Sequence, residues 1–169
     1  MVCIGVIGAM EEEVASLIHQ MEDVEKKIIA GMTFYHGNLW NQDAVVVRSG
    51  IGKVNMAVCT QILVDEFAVN MLINTGVAGG LYKDINVGDI VISSDALHHD
   101  FDVSGLGYKR GEIPQMPVSV FRADTELVEM AKEACEIVNP EIQCFVGRVV
   151  TGDQFISDNA RKKELVEVF

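Results

Sequence analysis

The chain has 169 residues, 49% of them hydrophobic, which is enough to bury a core and too apolar for a disordered segment. Its formal net charge of −12 would repel the phosphates of a nucleic acid but not a small neutral or cationic ligand. No apolar run reaches membrane-spanning length, and no basic-then-apolar leader opens the chain.

Residues 2–9, VCIGVIGA, are a β-branched run closing on glycine and predict a buried strand. MEEEVASLIHQMED (10–23) predicts a helix, with Met10, Val14, Leu17, Ile18 and Met21 on one face. TFYHGNLWNQDAVVVRSG (33–50) predicts a hairpin around Asn41-Gln42-Asp43. IGKVNMAVCTQILVDEF (51–67) predicts a mostly buried helix, and VNMLINTG (69–76) a buried strand. VGDIVISSDALHHD (87–100) predicts a further strand. Residues 100–118 hold three glycines and two prolines and predict a long irregular loop, of a kind that often carries function. ADTELVEMAKEACEIV (123–138) predicts a helix capped by Asp124 or Thr125, IQCFVGRVVTGD (142–153) a strand, and SDNARKKELVEVF (157–169) a helix.

Strands and helices alternate, which predicts an α/β fold around a largely parallel sheet. No repeat, low-complexity tract or linker divides residues 1–169, so a single domain is expected. The apolar LVEVF at the end has no capping glycine and no following strand, and the domain is expected to continue past Phe169. Cys3, Cys59, Cys135 and Cys144 lie in apolar segments without Cys-x-x-Cys spacing, which suits reduced thiols in a cytoplasmic compartment and neither a disulfide nor a metal.

Glycines mark the expected carboxyl ends of the strands: Gly8, Gly50, Gly76, Gly79 and Gly152. Ligands of α/β sheets bind at those ends. SGIGKV (49–54) is not a dinucleotide fingerprint, because Asn55 takes the third glycine's place, and it lacks the spacing of a P-loop. TGVAGG (75–80) is either a tight turn or a ligand cradle. Glu11, Glu12 and Glu13 favour the dipole of a helix start. Glu12 points away from the apolar stripe, while Glu11 and Glu13 flank it, so either could act as a general base beside the glycines. HHDFD (98–102) has no partner cluster for a metal, since His19 and His36 stand alone, and hydrogen-bonding roles are expected for it instead. Phe155 in TGDQFI is a core residue or an aromatic platform for a planar base.

Taken in order, IGVIGAMEEEV, SGIGKVNMA, INTGVAGG, VGDIVIS, HHDFDV and TGDQFI resemble the 5′-methylthioadenosine/S-adenosylhomocysteine nucleosidases over nearly the whole chain. The resemblance implies a three-layer α/β/α fold of the nucleoside phosphorylase-like superfamily, around a mixed sheet. It implies hydrolysis of an adenosine thio-nucleoside to adenine, with no metal or organic cofactor, no nucleic acid and no membrane partner, in a homodimer. By the same resemblance Glu13 is the general base that activates water. Met10 and Ile51 line the pocket, Val77, Ala78 and Gly79 lie along the nucleoside, Phe155 stacks on adenine, and the backbone of Ile156 bonds the edge of the base. Val103, Leu106, Tyr108 and Pro114 cover the 5′-thio pocket of a partner subunit. Val77 stands where many members carry Ser, and Leu106 where an aromatic is common. The family's Val-Glu-Met-Glu stretch, which holds the ribose, and its later Ser-Asp pair, whose Asp protonates N7 of adenine, are expected beyond Phe169. These 169 residues alone are therefore expected to be nearly inactive. A nucleoside-binding module without an acid, and a purine nucleoside phosphorylase with Arg48 near its phosphate, are the alternatives.

Overall fold

A computed structural model describes residues 2–169. The chain forms two compact units, residues 1–78 and 79–169. The first contains β1 (Cys3–Gly8), α1 (Glu11–Gln20), β2 (Glu22–Ile29), β3 (Met32–Leu39), β4 (Gln42–Arg48), α2 (Lys53–Phe67) and β5 (Met71–Asn74). Its sheet runs β2-β3-β4-β1-β5, with β1 parallel to β4 and β5, and with β2-β3 and β3-β4 antiparallel.

Alternation along β1 and β4 sends side chains to both faces of this sheet, and each face is covered by a helix. On one face Cys3, Ile7, Phe34, Val45 and Val47 pack with Cys59 and Leu63 of α2. On the other, Val6, Ala44 and Val46 pack with Val14 of α1 and Met21 just beyond it. Phe34 has no exposed surface. Truncating such a residue to Ala costs about 3–5 kcal/mol.

In this unit the observed elements depart from expectation at four places. The helix read over 10–23 ends at Gln20, and Met21 is extended. The next eight residues, EDVEKKII, form β2, a strand that begins inside the expected helix and continues through residues for which no element is expected. Its charges and exposed faces hide any alternation, as on many edge strands. Two turns fix it: Ala30 and Gly31, at φ 51° and 78°, lead into β3, and Trp40 and Asn41, at φ 51° and 63°, close the next hairpin just ahead of the expected turn. Such paired left-handed residues match the twist of a hairpin. Third, α2 buries only one stripe, and Val54 and Val58 are exposed. Fourth, Leu72 and Ile73 of β5 are exposed, because β5 is an edge strand with β1 as its one neighbour in this sheet.

The second unit contains β6 (Ile90–His98), β7 (Phe121–Arg122), α3 (Thr125–Val138), β8 (Cys144–Thr151) and α4 (Asn159–Val168). Its sheet runs β7-β6-β8, with β6 and β8 parallel and the unforeseen β7 antiparallel. Asp124 caps α3 by accepting the Leu127 N–H at 3.0 Å. Residues 100–118 form a loop with one 3-10 turn, Ser104–Leu106. The loop is tied down by Arg110, which is bonded to Glu164 of α4 and to the carbonyl of His99. Both units are thus α/β with mixed sheets. Among the described residues no helix is long and apolar enough to cross a membrane.

Candidate active site

In the first unit β4, β1 and β5 are adjacent and parallel, so the segments after their carboxyl ends meet along one edge. Backbone bonds lock this edge: Ser49 N–H donates to the Gly8 carbonyl at 2.9 Å, and Thr75 N–H to the Ile7 carbonyl at 2.9 Å. Met10, at the N-cap of α1, follows β1; Ile51 follows β4; Val77 and Ala78 follow β5.

Glu13 sits where these segments converge. One carboxylate oxygen, Oε2, accepts the backbone N–H of Ala9 at 2.7 Å and of Met10 at 3.0 Å. The second of these bonds is the acidic half of a capping box. The other oxygen, Oε1, accepts the Val77 N–H at 3.2 Å. Three backbone donors thus orient a carboxylate that retains one open lone-pair direction, on Oε1, since each oxygen offers two. Glu11 and Glu12 are exposed, and Glu11 faces Arg48 at 3.4 Å. Among the three adjacent glutamates, Glu13 is the one turned onto the strand ends.

The packing of Glu13 and its neighbour Val14 accounts for two of the glycines. A Cβ on Gly76 would stand 2.7 Å from Glu13 Oε1, and one on Gly8 would stand 2.9 Å from Glu13 Cβ and 2.7 Å from Val14. Gly50 and Gly52 serve a different need, with φ of 84° and 104° that other residues rarely adopt. Ile51 between them is 74% exposed and Val77 81% exposed, so both present apolar surface outward from the edge. Val77 brings an apolar side chain to this edge, and its backbone N–H is bonded to Glu13. Sequence reasoning missed the N–H groups of Ala9 and Val77, because backbone donors leave no signature in residue type.

In the second unit the carboxyl ends of β6 and β8 form a comparable edge. His99 N–H donates to the Thr151 carbonyl at 2.9 Å, and Asp100 Oδ2 accepts the Asp153 N–H at 2.9 Å. A Cβ on Gly152 would stand 2.6 Å from the His99 ring. HHDFD therefore holds the TGDQFI loop by hydrogen bonding and packing. Asp102 accepts the Ser104 N–H at 2.9 Å, and hydrogen bonding to Ser104 holds its carboxyl below the usual range. Phe155 at the loop tip is 96% exposed, Ile156 is half-buried, and Gly79, where this unit begins, has open space at its Cβ position. In the long loop Leu106 is 77% exposed, while Val103, Tyr108 and Pro114 are half-buried. Among the described residues the group of three side chains able to share a metal is Cys3, His36 and Asp43, at the other ends of the strands.

The family model of the phosphorylase superfamily matches residues 3–169. A 5′-methylthioadenosine/S-adenosylhomocysteine nucleosidase of Shewanella denitrificans is 46% identical over 160 residues, which cover 95% of this chain and 69% of the relative. One from Exiguobacterium is 43% identical over 166 residues, covering 98% and 70%. The solved nucleosidase of Neisseria meningitidis, in complex with methylthio-immucillin-A, superimposes with a TM-score of 0.94 at 40% identity, over 100% of this chain and 72% of that one. The Colwellia psychrerythraea nucleosidase, in complex with adenine, has a TM-score of 0.94 at 40% identity, over 99% and 69%. With a family model spanning nearly every residue and relatives above 40% identity, the chain belongs to the 5′-methylthioadenosine/S-adenosylhomocysteine nucleosidase family of the phosphorylase superfamily.

Proposed function

We propose that the protein hydrolyses the N-glycosidic bond of 5′-methylthioadenosine and S-adenosylhomocysteine, releasing adenine and the thioribose, and that Glu13 is the general base. The observation that carries this reading is the Glu13 carboxylate held by three backbone N–H groups at a glycine-lined strand edge. Such a carboxylate is held in place, and the remaining lone pair of Oε1 can take a proton from a water directed at the anomeric carbon. As the C–N bond breaks, its electron pair leaves with adenine and positive charge builds on the ribose. The water oxygen bonds the anomeric carbon while its proton passes to Glu13. An acid on the far side must protonate the departing base, because stabilising the transition state requires both charges to be met. Water is the nucleophile, so no cofactor enters the scheme.

In this reading Met10, Ile51, Val77, Ala78 and Gly79 line the nucleoside, Phe155 stacks on adenine, and the Ile156 backbone bonds its edge. The outward position of Phe155 supports that role, since a core Phe would be covered. The two units are halves of one nucleosidase domain. We place the acid and the ribose clamp in the share of the relatives that these residues do not span. The protein is cytoplasmic and a homodimer, with Val103, Leu106, Tyr108 and Pro114 of each subunit closing the 5′-thio pocket of the other. The exposed apolar Leu106 supports that placement.

Adenine release from methylthioadenosine tests the reading. A chimera in which the remaining part of the Shewanella denitrificans nucleosidase follows these residues should release adenine, and should sediment as a dimer. A folded chimera that binds the nucleoside without releasing adenine would favour a binding module instead.

A further inference from the structure

We propose that Cys3, His36 and Asp43 form a binding site for a divalent metal of the zinc class, at the end of the first unit's sheet opposite its glycine edge. The three residues lie on three neighbouring strands and are gathered by strand register. Cys3 at the start of β1 is the direct partner of Asp43 in β4. His36 of β3 pairs with Val45, two residues along the same face of β4 from Asp43. One donor atom from each side chain lies within 4.8 Å of the other two. His36 Nε2 and Asp43 Oδ1 are already 2.8 Å apart.

The donor set fits zinc. Bond lengths of about 2.0–2.3 Å in a tetrahedral site put neighbouring donors about 3.3–3.6 Å apart. The histidine–aspartate pair would open by about half an ångström to admit the ion, and both side chains are exposed enough to move, at 40% and 45%. The floor is fixed by contrast: Cys3 is buried, its N–H donates to Asn70 Oδ1 at 3.1 Å, and its carbonyl accepts the Asn70 N–H at 3.1 Å. A thiolate with imidazole and one carboxylate selects zinc-like ions over calcium or magnesium, which want oxygen ligands. Three protein ligands leave a fourth position for water. Binding sends the Cys3 thiol proton to solvent, and the net charge of −12 favours the cation.

The site lies at the amino ends of β1 and β4, whereas Glu13 and the glycines follow their carboxyl ends. The metal would therefore stay out of the chemistry. It would tie the start of β1 to the β3–β4 hairpin and stabilise the folded protein by mass action.

Cobalt(II) is the probe, added to the reduced protein. One equivalent should bind with thiolate-to-metal charge-transfer absorption and the intense visible bands of a tetrahedral ion, and zinc should displace it. Cys3→Ser should abolish the charge-transfer band. His36→Gln, at a half-exposed position where folding is safe, should weaken binding by at least about 10-fold while the circular dichroism stays unchanged. Absence of the band in the parent protein, its survival in Cys3→Ser, or unchanged affinity in His36→Gln would each overturn the proposal.

Discussion

Two Thr-Gly loops, one in each unit, are built from the same parts and put to different use. Thr75-Gly76-Val77 follows β5, and Thr151-Gly152-Asp153 follows β8. In both, the N–H after the glycine donates to a carboxylate from the segment following another strand: Val77 to Glu13 at 3.2 Å, Asp153 to Asp100 at 2.9 Å. In both, the glycine is there because a side chain lies against its Cα. The neighbour of Gly76 is the Glu13 carboxylate itself, and that of Gly152 is the His99 ring together with Asp100. In the proposed mechanism the first loop aims the base, and the second braces the loop that carries Phe155. The difference teaches that one motif can serve reactivity or rigidity, according to which atom fills the space of the missing Cβ.

Alanine at the two glycines separates these uses. Gly76→Ala puts a methyl 2.7 Å from Glu13 Oε1, so the carboxylate or the loop must shift. A displacement of that size at a catalytic group costs up to about 10²-fold in turnover. Adenine release by a catalytically complete form should fall by that order. Full activity would show that the carboxylate's position is not critical. Gly152→Ala should act on stability instead. Its methyl would meet the His99 ring at 2.6 Å, and overpacking of this kind costs about 1–3 kcal/mol in urea unfolding. A variant that loses activity more than stability would erase the distinction between the loops.

A smaller effect is expected from alkaline pH, through the core between α2 and the first unit's sheet. Burial pushes the Cys59 thiol up to about 11. The unfolded thiol ionises first, near 8.5–9, so the folded state holds its proton while the unfolded state releases it. Stability is unaffected below that range and declines as pH rises through it toward 11. By pH 10 the loss from this thiol is on the order of 1 kcal/mol. Cys59→Ala should flatten the decline measured between pH 8 and pH 10, and an unchanged slope would show that other groups dominate.

Much of this architecture was legible because the strands that carry the loops are strongly patterned. VCIGVIGA and DAVVVRSG announce β1 and β4, and the glycines after them fall at the carboxyl ends. β2 was not legible, since EDVEKKII at a sheet edge has little apolar alternation to show. The exposure of β5 was missed because MLIN is as apolar as a buried strand, and only the strand order reveals an edge. At the site, the helical wheel left Glu11 and Glu13 equal. What separates them is backbone, the N–H groups of Ala9, Met10 and Val77, and residue types do not encode where those point.

The most direct measurement compares adenine release by Glu11→Gln, Glu12→Gln and Glu13→Gln in the chimera carrying the acid and the clamp. Glu11 and Glu12 are exposed, and removing either charge from the helix start should cost no more than about 1 kcal/mol of stability and leave turnover nearly intact. In Glu13→Gln the amide oxygen can still accept from Ala9 and Met10, so the helix start survives, but no proton acceptor remains. Turnover should drop by roughly 10²-fold or more with nucleoside binding retained. Equal losses at all three positions, or a larger loss at Glu11 than at Glu13, would contradict the account.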